Sequence, residues 1–157
     1  MPALDPMLNV AVLHMAALKF PRGYDVRPNA PDTLERLCAW LDSGKRMAVY
    51  DGGSDYTIFG DPQVNYAFRA WHDWQHWKYR LPFTPAGAAK ACLLQINDLW
   101  VEYGPSRRME RWARIIDAEV NGQLQYAAAH ANQFPNDQSA FVRAYLANPQ
   151  AALAATY

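Results

Sequence analysis

Cysteine is scarce in this 157-residue chain, charge of either sign is not in excess, and no apolar run is long. The two cysteines, Cys38 and Cys92, stand far apart and in no CxxC or Cys–His spacing. That excludes a zinc-finger framework and a disulfide scaffold, and their apolar neighbours predict reduced core thiols. Fifteen Lys and Arg balance fifteen Asp and Glu, which excludes a nucleic-acid binder held by a broad basic field. The most apolar segment, Met7–Leu18, has Asp5 and no Lys or Arg before it, and Lys19 directly after it. It lacks the positive start of a signal peptide and is shorter than the ~20 residues of a membrane span. The expectation is a cytoplasmic protein with no membrane association. GxSxG, the P-loop and GxGxxG are all missing. Asp51 and Asp55 flank a glycine turn too short for an EF-hand and without its closing Glu, so an ordinary turn is expected.

What the chain does have is aromatic residues, six Trp, nine Tyr and six Phe, and well-marked helix starts. Asp5-Pro6, Asp61-Pro62 and Thr84-Pro85 each set a side-chain acceptor at the N-cap and Pro at the first helical position, where a missing N–H costs nothing. Asp32 with Glu35 reads as an acidic capping box. Leu34, Leu37, Cys38 and Leu41 follow on one helical face, and Ser43-Gly44 ends it. Two β-prone runs around Asp51–Asp55 predict a hairpin over about 46–59. Further helices are expected near 62–79, 85–103, 107–132 and 137–147, with a frayed Ala-rich turn after Pro149. The fold class is therefore mainly α, a compact single-domain bundle (1–157) of five or six helices with one small β-hairpin.

The densest polar cluster is NYAFRAWHDWQHWKYR, Asn65–Arg80. At 100° per residue Asn65, Arg69, His72 and His76 share one stripe, with Asp73 beside it. Imidazoles at i and i+4 project from successive turns and can address one ion. An exposed polar stripe with an Arg69–Asp73 ion pair accounts for the same residues. In the helix near 107–132, Trp112, Ile115, Ile116, Glu119, Gln123, Tyr126 and His130 share an arc, which puts Glu119 on the core stripe. A buried carboxylate must be paired, protonated or metal-bound; a core pair with Arg69 is the alternative to a metal. Gly122, one turn on, permits close approach of a helix or ligand.

His72 and His76 with Glu119 compose a 2-His-1-carboxylate set for a divalent ion, zinc, iron or manganese, with positions left open for water or substrate. Asp73 and Arg69 would orient that set, or Asp73 would itself ligate with His76 in DxxH spacing. Gln123 and Tyr126 would line the pocket. Asp98 and Glu102 are the carboxylates a second metal would require. His14 reads as a core histidine, and His130 lies too far along its helix to join. Trp71, Trp74, Trp77 and Trp112 would wall the pocket.

Val64–Trp77 (VNYAFRAWHDWQHW), Phe83–Gly87 (FTPAG) and Ala118–Gln123 (AEVNGQ) resemble a group of uncharacterised bacteriophage proteins. Those share RAWHDxxH, then F-[ST]-x-x-GE, then ExxGQ. The resemblance covers Val64–Gln123 and implies that Arg69, Trp71, His72, Asp73, His76, Glu119, Gly122 and Gln123 form a metal or active site. Ala88 departs from the pattern, standing where the group often has Glu. The expectation is a phage-type metal-binding protein, a metal-dependent hydrolase or oxidase acting on a small molecule. The alternative is a non-enzymatic phage protein that binds and modulates a host macromolecule, such as a host protein, through exposed Trp40, Trp74 or Trp100.

Overall fold

The computed structural model describes all 157 residues and is mainly helical. The helices are α1 (Pro6–Lys19), α2 (Leu34–Asp42), α3 (Pro62–Tyr79), α4 (Pro85–Tyr103), α5 (Arg107–Asp117), α6 (Gln123–Ala129), α7 (Gln138–Ala147) and α8 (Pro149–Ala154). A π-helical turn, Ala118–Gly122, joins α5 to α6 without a break in right-handed backbone, so the eight segments form seven helical rods. The helix expected to reach 132 ends at Ala129, and the Ala-rich tail is a short capped helix, not a frayed turn.

Local side chains start these helices as the sequence suggests. Asp5 accepts from the N–H groups of Met7 and Leu8, Asp61 from that of Gln63, and Thr84 from that of Gly87. The start of α2 differs: Thr33 is the N-cap, accepting from the Arg36 N–H, while Asp32 pairs with the Arg36 guanidinium.

The expected hairpin at 46–59 does not form. Ala48–Tyr50 (β2) pairs in parallel with Asp25–Arg27 (β1), and residues 56–59 are a turn. Thr57, Ile58 and Phe59 are buried, and Leu4 donates its N–H to the Ile58 carbonyl. The β-prone run is thus used for burial under the N-terminus, which removes it as a partner strand.

Helix α3 is central, packed on α1, α4, α2 and β2. Its Val64, Ala67, Phe68 and Trp71 enter the main core with Leu8, Val12, Leu99, Met109, Trp112, Ile116 and Phe141. Ala70 turns toward a smaller core of Leu37, Met47 and Val49 beneath α2. Asp98 of α4 ties these layers, accepting from Trp71 Nε1 (2.9 Å) and Gln75 Nε2 (2.6 Å) and pairing with Lys19 (3.4 Å). No helix is long and apolar enough to cross a membrane.

Candidate functional site

The end of α3 builds the first half of the site. Arg80 adopts a left-handed conformation (φ 54°), the αL ending that closes many helices. This turns Leu81 back so that its N–H donates to the His76 carbonyl at 2.9 Å. The Leu81 carbonyl then accepts from His76 Nδ1 at 2.9 Å. A carbonyl can only accept, so the His76 proton sits on Nδ1 and its Nε2 carries a free lone pair.

His72, one turn earlier, is held the same way from α4. Its Nδ1 lies 2.6 Å from Gln95 Oε1. The two Nε2 atoms then face each other at 3.2 Å, with ring centroids 4.9 Å apart. Burial pushes the His72 imidazolium down to about 4, the Gln95 hydrogen bond opposing and nearby His76 adding to the shift. Burial also lowers His76, against the Leu81 bond. His72 is thus neutral at pH 7, and with the Gln95 oxygen turned to it both Nδ1 atoms donate, so two lone pairs oppose each other.

Only two arrangements relieve that opposition. A cation can bind both Nε2 atoms. Alternatively, the Gln95 amide turns so that its NH2 donates to His72 Nδ1, and His72 Nε2–H donates to His76. Gln95 is fully buried and its NH2 has no partner as placed; turning it would orphan the carbonyl oxygen instead. Zinc–nitrogen bonds of 2.0–2.1 Å put cis ligand atoms roughly 2.9 Å apart at a right angle and roughly 3.4 Å at the tetrahedral angle. The observed 3.2 Å falls between these.

The second half is a cavity of about 400 Å³ between α3, the π turn and α6. Asn65, Phe68, Arg69 and His72 line it from one side, and Glu119, Val120, Gln123 and Leu124 from the other. Ala88, Phe134 and Gln138 complete the wall. The expected facing of the two helices across a polar pocket is thus present. The π turn is what presents Glu119 here; such one-turn irregularities often occur at functional sites. Glu119 is 8% exposed and its Oε2 has no hydrogen-bond partner. Burial raises its carboxyl to about 8, with Gln123 and Arg69 acting against the rise. Gly122, in the same turn, packs against the Tyr145 ring of α7; a Cβ there would lie 3.4 Å from it.

The remaining expected residues are distributed differently. No three His, Cys, Asp or Glu side chains are gathered to hold a metal: the two imidazoles converge, while Glu119 stands across the cavity. Arg69 enters neither expected ion pair. Its Nη1 donates to the carbonyls of Tyr50 (3.0 Å) and Gly52 (2.6 Å), and its Nη2 to that of Gly53 (3.2 Å). Asp73 makes no hydrogen bond to either histidine and lines a second cavity, with Trp40, Tyr50 and Phe83. Burial lifts its carboxyl to about 7, opposed by Arg69. The orienting partners of the imidazoles are Gln95 and the Leu81 carbonyl, not Asp73 and Arg69. Gln95 was legible by the reasoning that found Glu119, since it shares a helical face with Gly87, Ala91, Cys92 and Leu99.

Tyr126 is core, its hydroxyl accepting from the Tyr157 N–H, and His130 stacks on it at 3.9 Å. Asp98 is spent on Trp71, Gln75 and Lys19; Glu102 pairs at the surface with His14, which is exposed and not a core histidine. Trp71 and Trp112 are core, and Trp74 and Trp77 line a separate groove, so the cavity's aromatic walls are Phe68 and Phe134. Trp40, Trp74 and Trp100 are partly buried. Lys45 covers Trp40 and Lys19 covers Trp74, while Trp100 packs on the core. Cys92 is buried, its thiol pushed up to about 12, while half-buried Cys38 accepts from Arg80 at 2.6 Å.

No family model, curated protein or solved structure matches the chain.

Proposed function

We propose that His72 and His76 bind one divalent metal ion through their facing Nε2 atoms, and that the cavity lined by His72, Arg69, Glu119 and Gln123 receives the small molecule on which that centre acts. The observation that carries this reading is the 3.2 Å approach of the two Nε2 atoms, with the His76 Nδ1 proton committed to the Leu81 carbonyl and His72 Nδ1 set 2.6 Å from Gln95 Oε1. Imidazole bound on one nitrogen and donating from the other is the usual state of a metal-ligating histidine. Two nitrogen donors without a thiolate suit zinc, with iron(II) and manganese(II) as the other ions of that donor class. Two protein ligands leave several positions for water or substrate, and bound metal would supply Lewis acidity or an activated water. Metal-assisted hydrolysis, or oxidation if the ion is iron, is the reaction class that follows. The RAWHDxxH resemblance supports treating these residues as one site.

The test is titration of metal-stripped protein with cobalt(II) and zinc. One ion per chain is expected, with cobalt absorption in the visible and binding lost in both His72→Ala and His76→Ala. Absence of binding at 100 μM zinc would refute the reading and leave the histidine pair as an internal hydrogen bond.

A further inference from the structure

Arg69 is the unusual group in the cavity. Its charge feels two carboxyl groups, Asp73 and Glu119, yet it takes part in none of the molecule's ion pairs. Burial lowers its pKa, which measures the cost of holding that charge away from water. Three of the five N–H donors of a guanidinium go to the carbonyls of residues 50, 52 and 53, which leaves two donors without a protein acceptor. Beside it in the same cavity, Glu119 Oε2 is buried and unpartnered. A cation without a counter-ion and a carboxyl oxygen without a partner, facing one void, are each satisfied by the same occupant.

We infer that this cavity is the binding site of a small monocarboxylate, held by the two free N–H donors of Arg69 and by the Glu119 carboxyl, with its apolar part against Phe68, Leu124 and Phe134. Two parallel N–H···O bonds are the geometry in which guanidinium and carboxylate pair best. One guanidinium with Asp73 already nearby can match at most one further negative charge, so a monoanion fits better than a phosphate dianion. Glu119, protonated at neutral pH, adds a hydrogen bond rather than a repulsion. The volume, about 400 Å³, suits a ligand of benzoate size and lies within the range of small-molecule sites. The inference rests on reading this cavity as the functional pocket, but it does not require the metal.

The experiment is calorimetric titration of the metal-stripped full chain with benzoate, benzamide and inorganic phosphate, repeated with one equivalent of zinc. Benzoate is expected to bind one-to-one without metal, at least tenfold tighter than its uncharged isostere benzamide and tighter than phosphate. The Arg69 Nε–H resonance is expected to shift on addition. Arg69→Met should abolish binding. Because Arg69 also holds the 50–53 loop, Glu119→Leu is the second variant, expected to weaken benzoate at least tenfold in a folded protein. Equal affinity for benzamide, tighter binding of phosphate, or no binding at 10 mM overturns the inference. Binding only in the presence of zinc also overturns it, since the carboxylate then sits on the metal, and leaves the metal reading standing. Benzoate binding in a protein that takes up no zinc sustains the inference and removes the metal.

Discussion

His72 and His76 hold their Nε2 atoms 3.2 Å apart while their Nδ1 atoms meet Gln95 and the Leu81 carbonyl. An ion bound only to this folded arrangement stabilises it by mass action, about 2.7 kcal/mol at a hundredfold excess over Kd. At about 2–4 °C per kcal/mol for a chain of this size, Tm should rise by roughly 5–10 °C with zinc. Differential scanning fluorimetry reads this directly. An equal rise in His76→Ala would place the ion elsewhere.

Gln95→Leu separates metal affinity from stability. The substitution removes a buried NH2 that has no partner and also removes the acceptor that orients His72. Losing the orphaned NH2 is favourable, but it leaves His72 Nδ1 without an acceptor unless the His72 proton moves to Nε2 and donates to His76, so stability should fall by no more than about 1 kcal/mol. Losing the orienting partner of a ligating imidazole costs about 10–100-fold in affinity. Zinc titration should therefore show a large loss and urea unfolding a small one. A loss of stability with zinc affinity unchanged would make Gln95 a plain packing residue.

Glu119 should leave a signature in the pH dependence of stability. The unfolded chain releases this proton near the ordinary value of 4.5, whereas the folded chain keeps it to about 8. Between those values the unfolded state binds fewer protons, so stability falls as pH rises across the window and levels off above it. Glu119→Gln keeps the shape and loses this slope. Relative to wild type it should gain with pH by a few kcal/mol, on the order of 1.4 for each pH unit crossed. Asp73, held up to about 7, contributes equally to both proteins and cancels in the difference. Parallel stability curves from pH 5 to 9 would show that Glu119 is ionised in the folded protein.

Gly87 is required by space. A Cβ there would fall 1.9 Å from the Pro82 carbonyl oxygen, a backbone atom. Gly87→Ala should cost at least the 1–3 kcal/mol typical of overpacking. The displaced 81–83 turn should also loosen the Leu81 bond to His76, so zinc affinity falls with stability. Gly44→Ala is the control: it meets nothing within 4 Å and pays only for its φ of 85°, about 1 kcal/mol. Similar losses at both positions would refute the steric account.

Arg69→Lys should release the loop over β2. An ammonium cannot reach the three carbonyls that the guanidinium spans, so amide exchange over residues 51–54 should quicken by tenfold or more. Stability should drop by about 2 kcal/mol, near the lower end for hydrogen bonds to a charged group. Unchanged exchange would assign the loop's order to Gln138, which donates to the same Gly53 carbonyl at 3.3 Å.

Helices and their starts were legible in the sequence because a cap depends on neighbours within four residues. Asp5, Asp61 and Thr84 needed no tertiary partner to act. The same holds for His72 and His76, whose i, i+4 spacing already places them on one face. The core position of Glu119 was legible too, since one misplaced carboxylate in an apolar stripe shows in the periodicity. Other features depended on groups distant in the chain. Residues 56–59 have the composition of a strand, but burial under the N-terminus competed with pairing and won. Arg69 was read beside Asp73 and Glu119, and the arrival of the 50–53 loop gave it three carbonyls at shorter range. The sequence alone determined which side chains share a helix face. Only the tertiary structure decided what those faces meet, because a hydrogen bond is settled within about 3 Å, between segments whose approach no local pattern encodes.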